Sequence, residues 1–191
     1  YGLADDNWRV HDATLHVLGA PLSDDVELYR ETEDEGFRVG AGLSAQEDWL
    51  VIAVGDNETS EVRLIPADNP TATPILVKPR SKGIEYDVDV RDGTLWVHTN
   101  DDHVNFRLAT AKLDNPGEWE TLIEGSDEFY LDGFELYRDF YVTEGRLRRL
   151  DLMRYQAVPF PDFLCRCTRS TQKTDPPQRR IRSLLQRKTN P

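Results

Sequence analysis

The chain has little of what most catalytic or metal-binding proteins need. Its 191 residues include only two cysteines, Cys165 and Cys167, which rules out a disulfide framework. A lone Cys-x-Cys pair is also a poor zinc site, because a closed zinc site needs four ligands. The four histidines have no metal-ligand spacing. No apolar run approaches the ~20 residues that span a bilayer. We therefore expect no metal, no cofactor and no membrane-spanning helix.

Motifs of the common enzyme classes are missing as well. The string nearest to a Gly-x-Ser-x-Gly nucleophile elbow is Gly42–Gln46, which ends in Gln and leaves a predicted strand rather than entering a helix. No glycine-rich phosphate-binding loop is found. Adjacent carboxylates such as Asp24 and Asp25 arise by chance in so acidic a chain and do not indicate glycosidase chemistry. We predict no catalytic residue in this chain, and the sequence identifies no binding residue.

Charge is spread unevenly along the chain, whose formal net charge is -12. Residues 1–162 hold 15 of the 23 Lys and Arg and 34 of the 35 Asp and Glu, and so carry -19, whereas residues 163–191 carry +7. An acidic body repels phosphate backbones, so we expect no nucleic-acid partner. The same charge attracts cationic ligands at long range.

Short strands dominate what is present. Residues 84–91 alternate apolar and polar side chains without a break, which is the period of a strand with one buried face. Asp92-Gly93 follows directly and precedes a second β-rich run, residues 94–98. An Asp-Gly pair between two such runs predicts a tight hairpin, because Gly accepts a positive φ. No convincing amphipathic helix lies between residues 8 and 160.

The predicted strands repeat in groups of four. The groups are 37–43, 49–54, 61–65 and 75–77; 84–90, 95–99, 106–111 and 119–123; and 129–137, 140–143, 147–152 and 157–160. Their first strands begin at Phe37, Ile84 and Phe129, spacings of 47 and 45 residues. Trp49 and Trp96 are also 47 residues apart, so we expect them to occupy equivalent, largely buried positions.

A four-stranded unit that repeats every 40–50 residues is typical of a β-propeller blade. Two further runs, 8–17 and 26–31, match the second half of an earlier blade. We therefore predict an all-β fold in which residues 1–162 form about three and a half blades of an open propeller. A generic β-sandwich would explain the strands, but not their matching order and period.

An apolar-Arg-apolar triplet recurs in the predicted third strands. Arg9, Arg63 and Arg107 are its central residues, and Leu147–Leu150 is a looser version. We expect these arginines to pair with carboxylates of adjacent strands, such as Glu61. Ligand recognition is the alternative role.

The last segment differs in kind from the rest. After Asp162 aromatic residues almost vanish, basic residues dominate, and Asp175-Pro176-Pro177 interrupts any regular element. We predict that residues 163–191 form a disordered basic tail that adds no blade strand, since it has little apolar surface to bury. Contact with an anionic surface is the alternative.

Several strings resemble those of a known enzyme family in order and spacing. They are Val26–Glu31, Thr59–Leu64, Thr99-Asn100 followed by Asn105–Leu108, Trp119–Ile123 and Leu131–Phe134. Together they resemble the propeller domain of oligopeptidase B, in the prolyl oligopeptidase family of serine peptidases. The resemblance covers residues 1–162 and fits the Arg/Lys-specific oligopeptidase B branch better than the proline-specific one.

The resemblance implies a seven-bladed propeller that sits over an α/β-hydrolase domain and restricts access to a Ser-Asp-His triad. Short basic peptides are then the substrates, the hydrolase domain is the partner, and the location is cytoplasmic. None of the hydrolase motifs is in this chain, so no site residue carries over, and we predict that the chain alone is inactive. The likeness ends near Pro161-Asp162, where a truncated or frame-shifted gene and a different terminus are both open explanations.

Two functions follow from this. In the first, the chain is part of the gating propeller of a serine oligopeptidase, separate from its catalytic half. In the second, it is a stand-alone interaction module. The absence of an initial Met favours a chain that begins inside a longer polypeptide. A neighbouring reading frame that encodes a Gly-x-Ser-x-Gly hydrolase would favour the first function.

Overall fold

The computed structural model describes residues 1–147, 150–157 and 165–168. Within these ranges strands are the dominant regular structure, and helix is limited to one turn of 3-10 helix at Leu22–Asp24. This described part contains no helix long and apolar enough to cross a membrane. The predicted all-β class is confirmed.

In the described part of the chain, fourteen strands form four antiparallel sheets in chain order. The strands are β1 Asp12–Leu15, β2 Val26–Arg30, β3 Arg38–Leu43, β4 Trp49–Gly55, β5 Ser60–Pro66, β6 Ile75–Lys78, β7 Tyr86–Arg91, β8 Thr94–Thr99, β9 Arg107–Lys112, β10 Asn115–Ile123, β11 Phe129–Leu136, β12 Phe140–Leu147, β13 Leu150–Ala157 and β14 Cys165–Thr168. Sheet I is β1–β2, sheet II is β3–β6, sheet III is β7–β10 and sheet IV is β11–β14. Each four-stranded sheet is a simple meander, as a propeller blade is.

The sheets stack face to face through three apolar clusters. The cluster between sheets I and II includes Ala13, Ile52 and Val54. The cluster between sheets II and III includes Val62, Leu64, Val90 and Val97. The cluster between sheets III and IV includes Trp96, Leu108, Leu131 and Tyr141. Strand β8 has three consecutive apolar residues at its centre, Leu95, Trp96 and Val97. Leu95 and Val97 face sheet II, whereas Trp96 faces sheet IV, so both faces of the strand are buried. This stacking confirms the open propeller fragment.

Sheet I is less complete than the others. The amino group of Tyr1 donates to Thr14 O at 2.8 Å, and Thr14 N donates back to Tyr1 O at 2.7 Å. Ala4 bridges Val10 in the same antiparallel direction. Residues 1–4 therefore run beside β1 where a blade would have its second strand. The expected half blade is confirmed, with strands shorter than the runs 8–17 and 26–31.

The Asp-Gly hairpin forms as predicted. Arg91 pairs with Thr94, and Asp92 and Gly93 have φ values of 50° and 73°. Positive φ at both turn residues is the mirror-image turn that matches the twist of two antiparallel strands.

The two tryptophans are not equivalent, contrary to expectation. Trp49 is the first residue of β4, lies opposite Pro66 and is only half-buried, whereas Trp96 is the third residue of β8 and is 7% exposed. The loop before Trp49 spans residues 44–48, but the turn before β8 has only Asp92 and Gly93. An equal spacing in sequence therefore does not give an equal register.

Sheet IV departs from the prediction in its last two strands. The third strand is Leu150–Ala157, and the fourth is Cys165–Thr168, which pairs with Leu152–Tyr155. The fourth strand, predicted at 157–160, is therefore at Cys165–Thr168 instead, and residues 158–160 lie outside the described part. The prediction that 163–191 adds no blade strand is wrong. An edge strand is held by backbone hydrogen bonds, so an alternating segment can add to a sheet despite its basic charge. The disorder predicted for the remaining tail concerns residues 169–191, outside the described part.

Candidate functional site

Within the described residues, the meander order gathers five connections at one end of the sheets. These are residues 31–37, 56–59, 79–85, 100–106 and 124–128, which we call the linker end. They include all three crossings from one four-stranded or two-stranded sheet to the next. The charged networks described below lie at this end.

The three triplet arginines are all paired with carboxylates. Arg107 Nε and Nη2 lie 2.8 and 3.0 Å from the two oxygens of Asp101, and Arg9 Nε lies 3.0 Å from Asp5 Oδ2. Arg63 pairs with Glu61. Pairing is confirmed, but the partners lie in the same strand or the preceding loop, not in adjacent strands. Residues 61 and 63 share a face because side chains alternate along a strand.

The triplets are not all equivalent. Trp8 and Phe106 have φ values of 61° and 63°, so the chain before Arg9 and Arg107 makes the same unusual turn. Arg107 lies opposite Thr99, at the start of its strand. Arg63 lies inside β5, opposite Ile52. The first and third triplets therefore correspond in structure, and the second does not.

A fourth arginine, which the repeat did not reveal, holds two linkers together. Arg80 follows β6, and its Nη2 lies 2.7 Å from Glu31 Oε2 and 3.5 Å from Glu61 Oε1. The Arg80 backbone N–H donates to Glu61 Oε2 at 3.2 Å, and its guanidinium lies 4.5 Å from the centre of the Phe37 ring. One side chain thus joins the I–II crossing to sheet II.

Glu31 is 3% exposed and fully hydrogen-bonded. It accepts bonds from the N–H groups of Glu33 and Asp34 at 2.8 and 3.0 Å, and from Tyr29 Oη at 2.9 Å. Burial alone would raise the pKa of Glu31, but the bonds from Arg80 and from the backbone outweigh it and lower that pKa to about 2. These groups line a cavity of about 330 Å³ in which carboxylates and guanidiniums neutralise one another. The arrangement serves to join sheets.

His98 occupies a similar position between sheets III and IV. Its side chain is buried, its Nδ1 lies 2.9 Å from Asp87 Oδ1, and its Nε2 lies 2.9 Å from Leu131 O. The ring stacks on Phe106 with centroids 4.6 Å apart. A carboxylate and a carbonyl oxygen both accept only, so two bonds require a proton on each ring nitrogen. Burial lowers the pKa of His98, but the Asp87 carboxylate outweighs it and the net shift is upward.

The inner side of the fragment carries a groove. A cavity of about 380 Å³ lies where the first strands β3, β7 and β11 of three successive sheets come together. Its lining is Gly40, Ala41, Gly42, Leu43, Val51, Ala53, Asp87, Val88, Asp89 and Phe134. Two of these ten residues are acidic and none is basic.

The two carboxylates in this inner groove differ. Asp87 has a side chain 67% exposed, and its Oδ1 faces His98. Asp89 Oδ1 accepts bonds from Ala45 N and Val90 N at 2.8 and 2.7 Å. Burial raises the pKa of Asp89. Asp87 is therefore the more exposed of the two carboxylates, and it is paired with His98.

Among the described residues, no serine hydroxyl is hydrogen-bonded to a histidine ring. The hydroxyl of Ser44 donates to Asp48 at 2.7 Å, and that of Ser60 donates to Tyr86 O at 2.6 Å. Groups of three metal-ligating side chains are likewise not found within these ranges.

The family profile described as "Prolyl oligopeptidase, N-terminal beta-propeller domain" matches residues 4–157. The chain belongs to this family. Its relatives are prolyl oligopeptidase-type serine peptidases that carry a β-propeller, as the sequence resemblance implied. Dipeptidyl aminopeptidase BI of Pseudoxanthomonas mexicana is 36% identical over 143 residues, which cover 73% of this chain and 19% of that protein.

Solved structures of oligopeptidase B are also similar to the propeller chain. The Trypanosoma brucei enzyme, in a closed form with covalently bound antipain, is 31% identical with a TM-score of 0.80, and the match covers 86% of this chain and 24% of that one. For the Leishmania major enzyme the identity is 28%, the TM-score 0.78 and the coverage 82% and 22%. The chain spans about a fifth of the length of the curated relatives it matches.

Proposed function

We propose that the chain is part of the substrate-gating propeller of an oligopeptidase B-like serine endopeptidase that cleaves short peptides after Arg or Lys. The observation that carries the proposal is the similarity to a trypanosomal oligopeptidase B, with 31% sequence identity and a TM-score of 0.80. No Ser-His pair is present among the described residues of this chain. In this proposal an α/β-hydrolase domain outside the chain supplies the Ser-Asp-His triad. We also propose that the parent enzyme is cytoplasmic. Cell fractionation would test this location.

The need for further partners is supported by the surface of the first sheet. Large apolar side chains are unusually exposed between residues 1 and 26: Tyr1 57%, Leu3 44%, Trp8 89%, Val17 63%, Leu18 93%, Leu22 75% and Val26 40%. A soluble monomer rarely exposes so many together, which marks a surface for another protein or domain. Propeller sheets outside this chain are the simplest cover for it.

Gating follows from the geometry of a ring of stacked sheets. Such a ring leaves a narrow channel between its first strands, wide enough for an extended peptide but too narrow for a folded protein. The inner groove is acidic, so it favours cationic segments. In this proposal the propeller selects substrates in two ways, by their size and by their charge.

The test pairs the chain with an α/β-hydrolase polypeptide encoded beside it. The two should co-purify, and the complex should hydrolyse arginyl and lysyl amides but not prolyl amides. A hydrolase variant with its nucleophile changed to Ala controls for contaminating peptidases. Preference for prolyl amides would contradict the Arg/Lys specificity, and a chain that binds no hydrolase would contradict the gating role.

A stand-alone interaction module is the second candidate. The same exposed side chains favour it, Trp8 above all, because an exposed tryptophan can anchor a protein partner. Recovery of the chain with partners that lack any hydrolase domain would favour this function over the first.

A further inference from the structure

The β1–β2 loop, residues 16–25, presents an apolar surface that nothing in the described part of the chain covers. Its side chains Val17, Leu18 and Leu22 are 63%, 93% and 75% exposed. Val26, the first residue of β2, is 40% exposed. None of the apolar clusters between the described sheets includes these four side chains, which we call the loop patch.

The loop that carries the patch has a defined shape. Ala20 N donates to Val17 O at 2.9 Å, and Gly19 has a φ of 87°, which glycine adopts without strain. Asp24 N donates to Pro21 O at 3.0 Å in the turn of 3-10 helix. A surface held in one shape before binding loses little entropy when a partner covers it. The loop patch is therefore preorganised for docking.

Acidic side chains surround the loop patch. Residues 16–27 contain Asp24, Asp25 and Glu27 and neither Lys nor Arg. Over residues 1–36 ten acidic and two basic side chains give a formal net charge of -8. A partner whose apolar side chains are flanked by cations would match both the hydrophobicity and the charge of this surface.

The chain itself contains a segment of this kind outside the described part. Residues 178–188 carry five basic side chains and no acidic one. Their aliphatic side chains are those of Ile181, Leu184 and Leu185, at the i, i+3 and i+4 spacing of one helix face. Amphipathic segments with this spacing bind apolar surfaces through those positions. Contact with an anionic surface is also one of the two roles that the sequence allows for this segment.

The segment can reach the loop patch of its own chain. Strand β14 ends at Thr168, opposite Leu152 and toward the linker end of sheet IV. Sheet I is three sheet spacings of about 10 Å away, and the β1–β2 loop is about 15 Å further along the strands, which together make roughly 35 Å. The 12 residues 169–180 span up to about 40 Å when extended. A second chain is therefore not needed to cover the patch.

We propose that residues 178–188 fold back across the open stack and dock Ile181, Leu184 and Leu185 on the loop patch of the same chain. The flanking arginines then lie beside Asp24 and the other carboxylates of the loop. A short linker gives the segment an effective concentration on the order of millimolar, so even a weak contact is populated. The tail acts as a strap that shields an apolar surface until a partner replaces it, which goes beyond the proposed function.

Photocrosslinking of the purified full chain tests this contact. The photoreactive residue p-benzoylphenylalanine takes the place of Leu184 in one protein and of Ser183, which lies outside the apolar spacing, in the control. We expect irradiation to join position 184 to residues 17–26 of the same chain, as identified by mass spectrometry of the digested monomer band. The yield from position 183 should be about fivefold lower, because neighbouring helical positions face different directions.

Substitutions in the patch give a second readout. Leu18→Ser and Leu22→Ser, made together in the protein labelled at position 184, should lower the crosslink yield about fivefold, since the aliphatic contact is lost. Both side chains are exposed, so the fold should persist, and amide exchange of the strands checks this. Val104→Ser is the matched control and should leave the yield unchanged, because Val104 is also exposed but lies at the linker end.

Three results would overturn the inference. A crosslink from position 184 to the linker end, for example to residues 100–106 or 124–128, would show that charge alone directs the tail. A crosslink found only in a dimer band would assign the loop patch to a second copy of the chain. A yield from position 184 no higher than from position 183 would show that the tail leaves the patch open. Co-purification with a hydrolase tests the proposed function separately from all three.

Discussion

The guanidinium of Arg80 reaches back 49 residues to the buried carboxylate of Glu31, with Nη2 2.7 Å from Oε2. The pair joins the crossing between sheets I and II to the crossing between sheets II and III. It is a contact between two linkers, and it fixes the stacking of sheet I on sheet II at their linker end. Loss of either partner should therefore loosen the incomplete first sheet before the others.

Arg80→Ala should destabilise the chain by about 2–3 kcal/mol, because it leaves the Glu31 carboxylate buried without its cation. Urea denaturation measures the change, and Arg138→Ala, which removes a pair exposed on both sides, is the matched control. The contribution of Glu31 is present above pH about 4.5, its ordinary pKa, and is lost as pH falls toward about 2. A loss in Arg80→Ala no larger than in the control would contradict a structural role.

His98 predicts the opposite pH dependence at the junction of sheets III and IV. Its folded-state pKa is raised, so its contribution is complete below pH about 6.5 and is lost as pH rises through the folded pKa. The pH titration of the His98 ring by NMR measures this directly. In the His98→Gln variant the free energy of unfolding should vary less with pH than in the unsubstituted chain. The pH range to compare is roughly 6 to 9, where a histidine with a raised pKa loses its proton. A folded-state pKa below that of a model histidine would show that the ring is neutral and that one of its two bonds is not made.

Gly145 predicts a steric effect in sheet IV. A Cβ at this position would lie 2.3 Å from Tyr130 O and 2.4 Å from Phe129 Cζ. Gly145→Ala should therefore destabilise the chain by about 1–3 kcal/mol, since neither the strand nor the packed ring can move away freely. Gly42→Ala places the same methyl group in open space and is the control, with a change within about 0.5 kcal/mol. Equal thermal midpoints for the two variants would contradict the packing of β11 against β12.

Local sequence signals predicted the fold well where the structure depends on neighbouring residues. Asp92-Gly93 determines its own turn, and the apolar alternation of β7 determines its faces. The charge of the last segment was a poor guide to β14, because Cys165–Thr168 joins sheet IV through backbone hydrogen bonds. The equal spacing of Trp49 and Trp96 also failed to predict their positions in their strands, because the loops that precede the two strands differ in length.

The charged networks were only partly predictable. Arg63 and Glu61 are two residues apart, and the period of a strand is enough to bring them together. Arg80 and Glu31 meet only because two sheets stack, and neither residue belongs to a repeated motif. The inner groove is lined by strands from three sheets, so its lining residues could not be brought together from the sequence alone.

The role of the chain as a gate is tested most directly by substrate size. The measurement compares the rate at which the paired hydrolase cleaves an Arg-containing octapeptide with the rate for the same site in a folded protein, with and without this chain. We predict that the chain raises the ratio of peptide to protein cleavage at least tenfold, and that the chain alone cleaves neither substrate. An unchanged ratio, or turnover and stoichiometric serine labelling in the isolated chain, would contradict a gating propeller whose catalytic residues lie elsewhere.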